Sequence, residues 1–99
     1  MSGTRPAAVA GMFYPDNPNV LHNDIQSMLS SARLKTHAPK AIIVPHAGYI
    51  YSGPIAASAY AQLAPLRDRI RRVILLGPCH RVPLRGLAVT SADFFETPL

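Results

Sequence analysis

The sequence predicts an α/β fold built on a βαβ unit of a mostly parallel sheet with packed helices, and three observations carry that reading. Two short, wholly apolar runs, Ala41-Ile42-Ile43-Val44 and Val73-Ile74-Leu75-Leu76, have the composition of strands buried on both faces. Each is stopped sharply, the first by Pro45 and the second by Gly77-Pro78. Between them Gly53-Pro54 restarts a helix in which Ile55, Ala56, Ala59, Tyr60 and Leu63 share one face, until Pro65 ends it. A strand, helix, strand series of this kind joins parallel strands through a right-handed crossover, so both strands finish at the same edge of the sheet.

Upstream, Asn17-Pro18 is a helix-start signal, because Asn can cap free N–H groups and Pro suits the first helical position. Leu21, Ile25, Met28, Leu29 and Ala32 then recur at helical spacing, and that face is expected to pack on the sheet. Residues 33–39 bring Arg, Lys, Thr, His and Pro and read as a polar connection. Gly86 to Thr90 offers a further short strand, with Gly at its front weakening the signal. Residues 1–99 are expected to make at most one small domain, itself incomplete, with no internal repeat or low-complexity segment.

Composition narrows the function classes. The chain has 99 residues, 48% of them hydrophobic and only 15% charged, which is apolar for a small domain with a large surface relative to its volume. Association through uncovered apolar surface is therefore expected. The apolar runs are far short of the roughly 20 residues a membrane span needs, so no membrane crossing is expected. The first residues lack the apolar stretch of a secretory signal, and the single cysteine, Cys79, can form no internal disulfide; both point to the cytoplasm. The formal charge of +5 and the cluster Arg67, Arg69, Arg71, Arg72, with Arg81 and Arg85 nearby, raise the question of an anionic partner. No aromatics interleave with these arginines to stack on bases, which favours a solvated loop over nucleic-acid binding.

The shared edge of the two strands is where chemistry is expected. His46 follows Val44 by two residues and His80 follows Leu76 by four, so both lie beyond the carboxyl ends of strands that would sit about 4.8 Å apart. Two neutral imidazoles suit iron(II), copper or zinc, and Pro45 and Pro78 stiffen the backbone leading to each donor. The plainer alternative is that each histidine bonds to a loop carbonyl, since two histidines without a third ligand do not make a closed site.

Tyr49 and Tyr51 follow the first histidine and are candidates to line a substrate or partner pocket, with packing residues whose hydroxyls reach water as the equal alternative. Gly48 and Gly53 resemble a phosphate loop only superficially, because Pro54 stands where that pattern needs Lys. Cys79 beside His80 suggests a nucleophile pair, but no orienting acid accompanies it. His22 and His37 read as solvent-facing residues.

Several segments together resemble one family. Pro45-His46-Ala47-Gly48-Tyr49-Ile50-Tyr51-Ser52-Gly53 and Leu76-Gly77-Pro78-Cys79-His80 are similar to motifs of the Memo-like proteins, also called AmmeMemoRadiSam system protein B. Ala7-Ala8-Val9-Ala10-Gly11-Met12-Phe13-Tyr14-Pro15 looks like that family's opening, and Thr97-Pro98-Leu99 like a motif further in. The resemblance implies the N-terminal portion of a larger extradiol-dioxygenase-like domain, with His46 and His80 as metal ligands and the third protein ligand on a downstream segment. It implies a metal-binding protein related to class III extradiol dioxygenases, whose non-haem iron(II) opens catechol-type rings, with copper or zinc as other candidate metals. Redox or dioxygenase activity on a small-molecule ligand is one implied function; a non-catalytic module that binds a peptide or partner in the same cleft is the other. Cys79 stands where serine is more frequent in that family, without touching a ligand.

Overall fold

A computed structural model describes residues 3–99. It is an α/β arrangement of two helices and a small parallel sheet. Strand β1 (Thr4–Arg5) comes first, then helix α1 (Pro18–Ser30), helix α2 (Tyr49–Tyr60) continued by a 3-10 turn (Ala61–Leu66), and last strand β2 (Phe94–Phe95).

Helix α1 starts where its sequence dictates. Asn17 sits in extended backbone, and its side-chain oxygen accepts from the N–H groups of Asn19 at 2.9 Å and Val20 at 3.1 Å. Those donors would otherwise be orphaned, and Pro18 at the first position has no N–H to satisfy. The helix ends where the Ser30 and Ser31 hydroxyls both donate to the Ser27 carbonyl, competing with the backbone for it. Leu21 is buried, and Ile25, Met28, Leu29 and Ala32 are half-buried on the same stripe, as the helical spacing predicts.

That stripe meets α2 rather than a sheet, which corrects one expectation. Helix α2 also begins five residues earlier than Pro54 and carries that proline inside. Pro54 supplies no N–H to the Ile50 carbonyl one turn back, a loss that is tolerable because Ile50 lies on a solvent-open turn. The earlier start changes which residues are inward. Ser52, Gly53, Ala57 and Ala61 are buried, at a spacing of about four, whereas Ile55 and Tyr60 are exposed. All are small, so α1 comes close: a Cβ on Gly53 would lie 2.6 Å from the Met28 sulfur.

A second correction concerns the βαβ ladder. Residues 41–44 and 73–76 form no hydrogen-bonded strands among the described residues, and neither do residues 86–90. The physical reason is cover. Wholly apolar parallel strands need elements on both faces, and here Ile43 is 99% exposed and Ile74 89% exposed. The sheet that does form lies elsewhere. Thr4 pairs with Phe94 and Arg5 with Phe95 in parallel register, the Asp93 N–H donates to the Gly3 carbonyl at 2.8 Å, and the Glu96 N–H to the Arg5 carbonyl at 2.8 Å. The Asp93 carboxylate accepts from the Gly3 N–H, and the Arg5 guanidinium lies 5.3 Å from the centre of the Phe95 ring.

The 3-10 turn carries Gln62, whose side chain acts as a clamp on the polar connection. Its oxygen accepts from the Lys35 N–H at 2.8 Å, and its amide donates to the carbonyls of Arg33 and Ser58, both at 2.9 Å. None of the helices is long and apolar enough to cross a membrane, among the described residues.

The core is small for the chain. The accessible surface is 8923 Å², against about 5,500 Å² for a folded monomer of this mass. The radius of gyration is 15.0 Å, against about 13 Å for a compact chain of this length. Two outcomes follow for the 99-residue polypeptide. It should bind an anilinonaphthalene dye strongly, as measured by fluorescence enhancement. Leu21→Ala should cost about 2–5 kcal/mol, a large share of the roughly 5–15 kcal/mol that a domain holds, and so lower the melting temperature followed by circular dichroism. A dye-silent chain, or a Leu21→Ala variant with an unchanged melting curve, would contradict this account of the core.

Candidate functional site

His46 is placed by the approach to α2. Two residues after it, Gly48 caps that helix with its carbonyl, which accepts from the N–H groups of Tyr51 at 2.9 Å and Ser52 at 3.0 Å. No capping side chain is available at glycine, and the first helical N–H, that of Tyr49, donates to the Phe13 carbonyl at 2.8 Å. Phe13 belongs to a tight turn at Val9–Tyr14, in which the Gly11 N–H donates to the Tyr14 carbonyl at 2.7 Å and Phe13 N–H to the Val9 carbonyl at 2.9 Å. Gly11 has φ +80°, a conformation that side-chain-bearing residues rarely adopt, so this turn depends on glycine. The opening segment thus docks directly onto the helix start beside His46.

The Ser52 hydroxyl adds a further tie. Ser52 is buried on the second turn of α2, and its Oγ donates to the Ala47 carbonyl at 2.9 Å, with the Gly48 carbonyl at 3.4 Å.

His80 lies on a very different support. Every residue from 71 to 89 is exposed, and among the described residues the only hydrogen-bond contact made by this stretch is through His80 itself. Its Nε2 is 3.2 Å from Nε2 of His46, with ring centres 5.3 Å apart and planes inclined at 46°. The structure therefore brings the two sequence-selected histidines together.

Such a pair has two chemical uses. With one ring carrying its proton on Nε2 and the other not, it is a simple hydrogen bond. With both Nε2 atoms unprotonated, it offers two donors to one ion. Metal–nitrogen bonds of about 2.0–2.1 Å place two ligands on one ion roughly 2.9 Å apart at a right angle and roughly 3.3 Å apart at a tetrahedral angle. The observed 3.2 Å falls between these values, so the donor pair fits a transition-metal ion. No third His, Cys, Asp or Glu joins them among the described residues, and Cys79 is a free, exposed thiol outside any such group.

The two candidate tyrosines part company. Tyr49 is half-buried, its ring 5.6 Å from that of Tyr14, and it lines a cleft of about 530 Å³ together with His46, Met28, Val44 and Ala57. Tyr51 is 77% exposed and lies outside the cleft lining. Burial raises the Tyr49 phenol above its ordinary value of 10.0, and the neighbouring Tyr14 and Tyr60 hydroxyls push in the same direction. His22 and His37 are exposed, as are the six arginines of the basic cluster.

Sequence reasoning overlooked Ser52, Tyr14 and the carbonyl of Phe13. A single serine and a backbone carbonyl carry no periodic signal. The small residues at 53, 57 and 61 would have exposed the buried face of α2, had the helix been started before its internal proline.

The model of the Memo-like protein family matches residues 5–99. The protein named MEMO1 in Homo sapiens is 41% identical over 95 residues, covering 96% of this chain and 31% of the relative. Its namesake in Danio rerio is 42% identical over the same span. A memo-1 homolog of Caenorhabditis elegans is 38% identical over 96 residues, covering 97% of this chain and 27% of the relative. The chain thus spans under a third of the length of these curated relatives.

The state of Tyr49 is measurable. A folded-state value raised above 10.0 means that its contribution to stability is complete at lower pH and is lost as pH rises through and beyond 10. Ultraviolet titration of phenolate should show a late component that Tyr49→Phe removes, and the alkaline fall in melting temperature should be shallower in that variant. An identical titration curve in the variant would refute the assignment.

Proposed function

The chain belongs to the Memo-like family, and we propose that it binds one divalent metal ion through His46 and His80. The observation that carries this reading is the 3.2 Å separation of their Nε2 atoms, a spacing suited to two nitrogen donors on one ion. Iron(II) is the metal of the family-based expectation, with copper and zinc compatible with the same donors. In this reading residues 41–44 and 73–76 become neighbouring parallel strands of a larger, mostly parallel sheet in an extradiol-dioxygenase-like domain. Their uncovered apolar faces support it, because strands of that composition pair only when both faces are covered.

A bound ion would supply Lewis acidity and open positions for oxygen-donor ligands, the chemistry on which a redox or dioxygenase activity depends. The chain's own part is positional. Helix α2 and the turn at Val9–Tyr14 hold the His46 side of the site, and both imidazoles serve as donors only while neutral. Tyr49 and the apolar cleft beside His46 would receive an uncharged part of a ligand and keep water from it.

A second reading is favoured by one specific observation. The cleft is lined mostly by apolar residues, which suits a peptide or protein partner without any catalysis. The readings separate experimentally: oxygen consumption with a catechol by the iron(II)-loaded protein supports the first, and partner binding that survives His46→Ala with His80→Ala supports the second.

For the metal itself, calorimetric titration should give one site per chain. His46→Ala or His80→Ala should lower affinity by at least about tenfold, the low end of what even indirect ligand partners cost. His22→Ala and His37→Ala should leave it unchanged. Affinity should also fall on acidification, because protons compete with the ion for the donor nitrogens. Equal effects from all four substitutions would sink the assignment.

A further inference from the structure

We infer that Ser52 is a positioning residue for His46: its buried hydroxyl fixes the backbone immediately after that histidine and so sets where the imidazole meets His80. The inference rests on the metal-site reading above but stands on a separate geometric fact. Serines within helices ordinarily bond back to the carbonyl three or four residues earlier. Three others here do so: Ser30 and Ser31 donate to the Ser27 carbonyl, and Ser58 to the Ile55 carbonyl. Ser52 has its ordinary partner, the Gly48 carbonyl, at 3.4 Å, but its shorter contact reaches five residues back, out of the helix, to Ala47.

The reach matters because little else holds this segment. Among the described residues, the bond from Ser52 to Ala47 is the only hydrogen bond to the backbone of residues 36–47. The next anchor along the chain is the Tyr49 N–H on the Phe13 carbonyl, which fixes the start of the helix but leaves His46 three residues away. A hydroxyl has one proton to give, and the shorter distance assigns it to Ala47 at 2.9 Å rather than Gly48 at 3.4 Å. The donor side of the bond is shielded, since Ser52 is only 6% exposed, while Ala47 lies at the surface. Breaking it leaves a carbonyl beside a cleft without its partner and frees the peptide that follows His46.

His80, on an otherwise unbonded stretch, cannot compensate by holding His46 in place. A site of two donors is sensitive to this freedom, because misplacing either one leaves a single ligand.

The test uses cobalt(II) as the probe, read by its visible absorption, together with nuclear Overhauser contacts between the two histidine rings in the metal-free protein. Ser52→Ala should weaken cobalt binding by about tenfold, alter the absorption band and abolish the ring-to-ring contact. Contacts between Met28 and Gly53 should survive. Ser58→Ala, which removes an ordinary helix serine, should change none of these. Should Ser52→Ala not fold, Ser52→Thr against Ser52→Val decides, because the two differ only by the hydroxyl: binding restored by Thr and lost by Val supports the role. Cobalt affinity and ring contact in Ser52→Ala equal to the unsubstituted protein would overturn it. If the unsubstituted protein takes up no cobalt, the metal reading fails, and the ring-to-ring contact alone judges Ser52.

Discussion

The close approach of α1 to α2 is the constraint on which the rest of the molecule depends. Among the described residues, Leu21 and the small residues of α2 and its continuation make up the buried core. Gly53 lets the Met28 side chain lie where a Cβ would stand, and this contact sets the separation of the helices. The same helix start that presents Gly53 inward also presents Ser52 inward, and through it the loop that carries His46. Packing and site geometry are therefore one problem in this chain: a shift of α2 along α1 would move an imidazole.

Much of this was legible from residues alone, and the parts that were not share a cause. The start of α1 could be read because Asn17 and Pro18 act locally, through groups within one turn. Its buried stripe could be read because helical spacing is a property of the segment itself. The proximity of His46 and His80 was expected from a strand, helix, strand series, and the two rings do lie together although those strands do not form. The onset of α2 was misplaced because Pro54 resembles a starting residue, and only the surrounding packing reveals that an interior proline is tolerated there. The ladder between residues 41–44 and 73–76 did not appear because apolar composition reports a need for cover and cannot supply it. The pairing of Thr4–Arg5 with Phe94–Phe95 had no local signal at all, since two-residue strands carry no pattern.

The two halves of the site differ in how they are built. His46 is fixed through α2, the turn at Val9–Tyr14 and the Ser52 hydroxyl, while His80 rides on a stretch whose backbone makes no hydrogen bonds among the described residues. An ion bridging them would join a hydrogen-bonded element to a stretch with no other hydrogen bond among the described residues, so holding that stretch would draw on the ion's binding energy. Affinity in such a site is reduced by the entropy of the segment it must restrain.

The pairing of β1 with β2 has an entropic cost. It joins segments some 90 positions apart, and closing a loop of that length costs on the order of 4 kcal/mol in chain entropy. A handful of exposed hydrogen bonds, each worth about 1 kcal/mol, barely offsets that cost. The helical hairpin, whose contacts are nearer in sequence, can form without it. On these magnitudes the pair gains little by itself, and the packing of α1 on α2 supports it by shortening the effective loop between its strands.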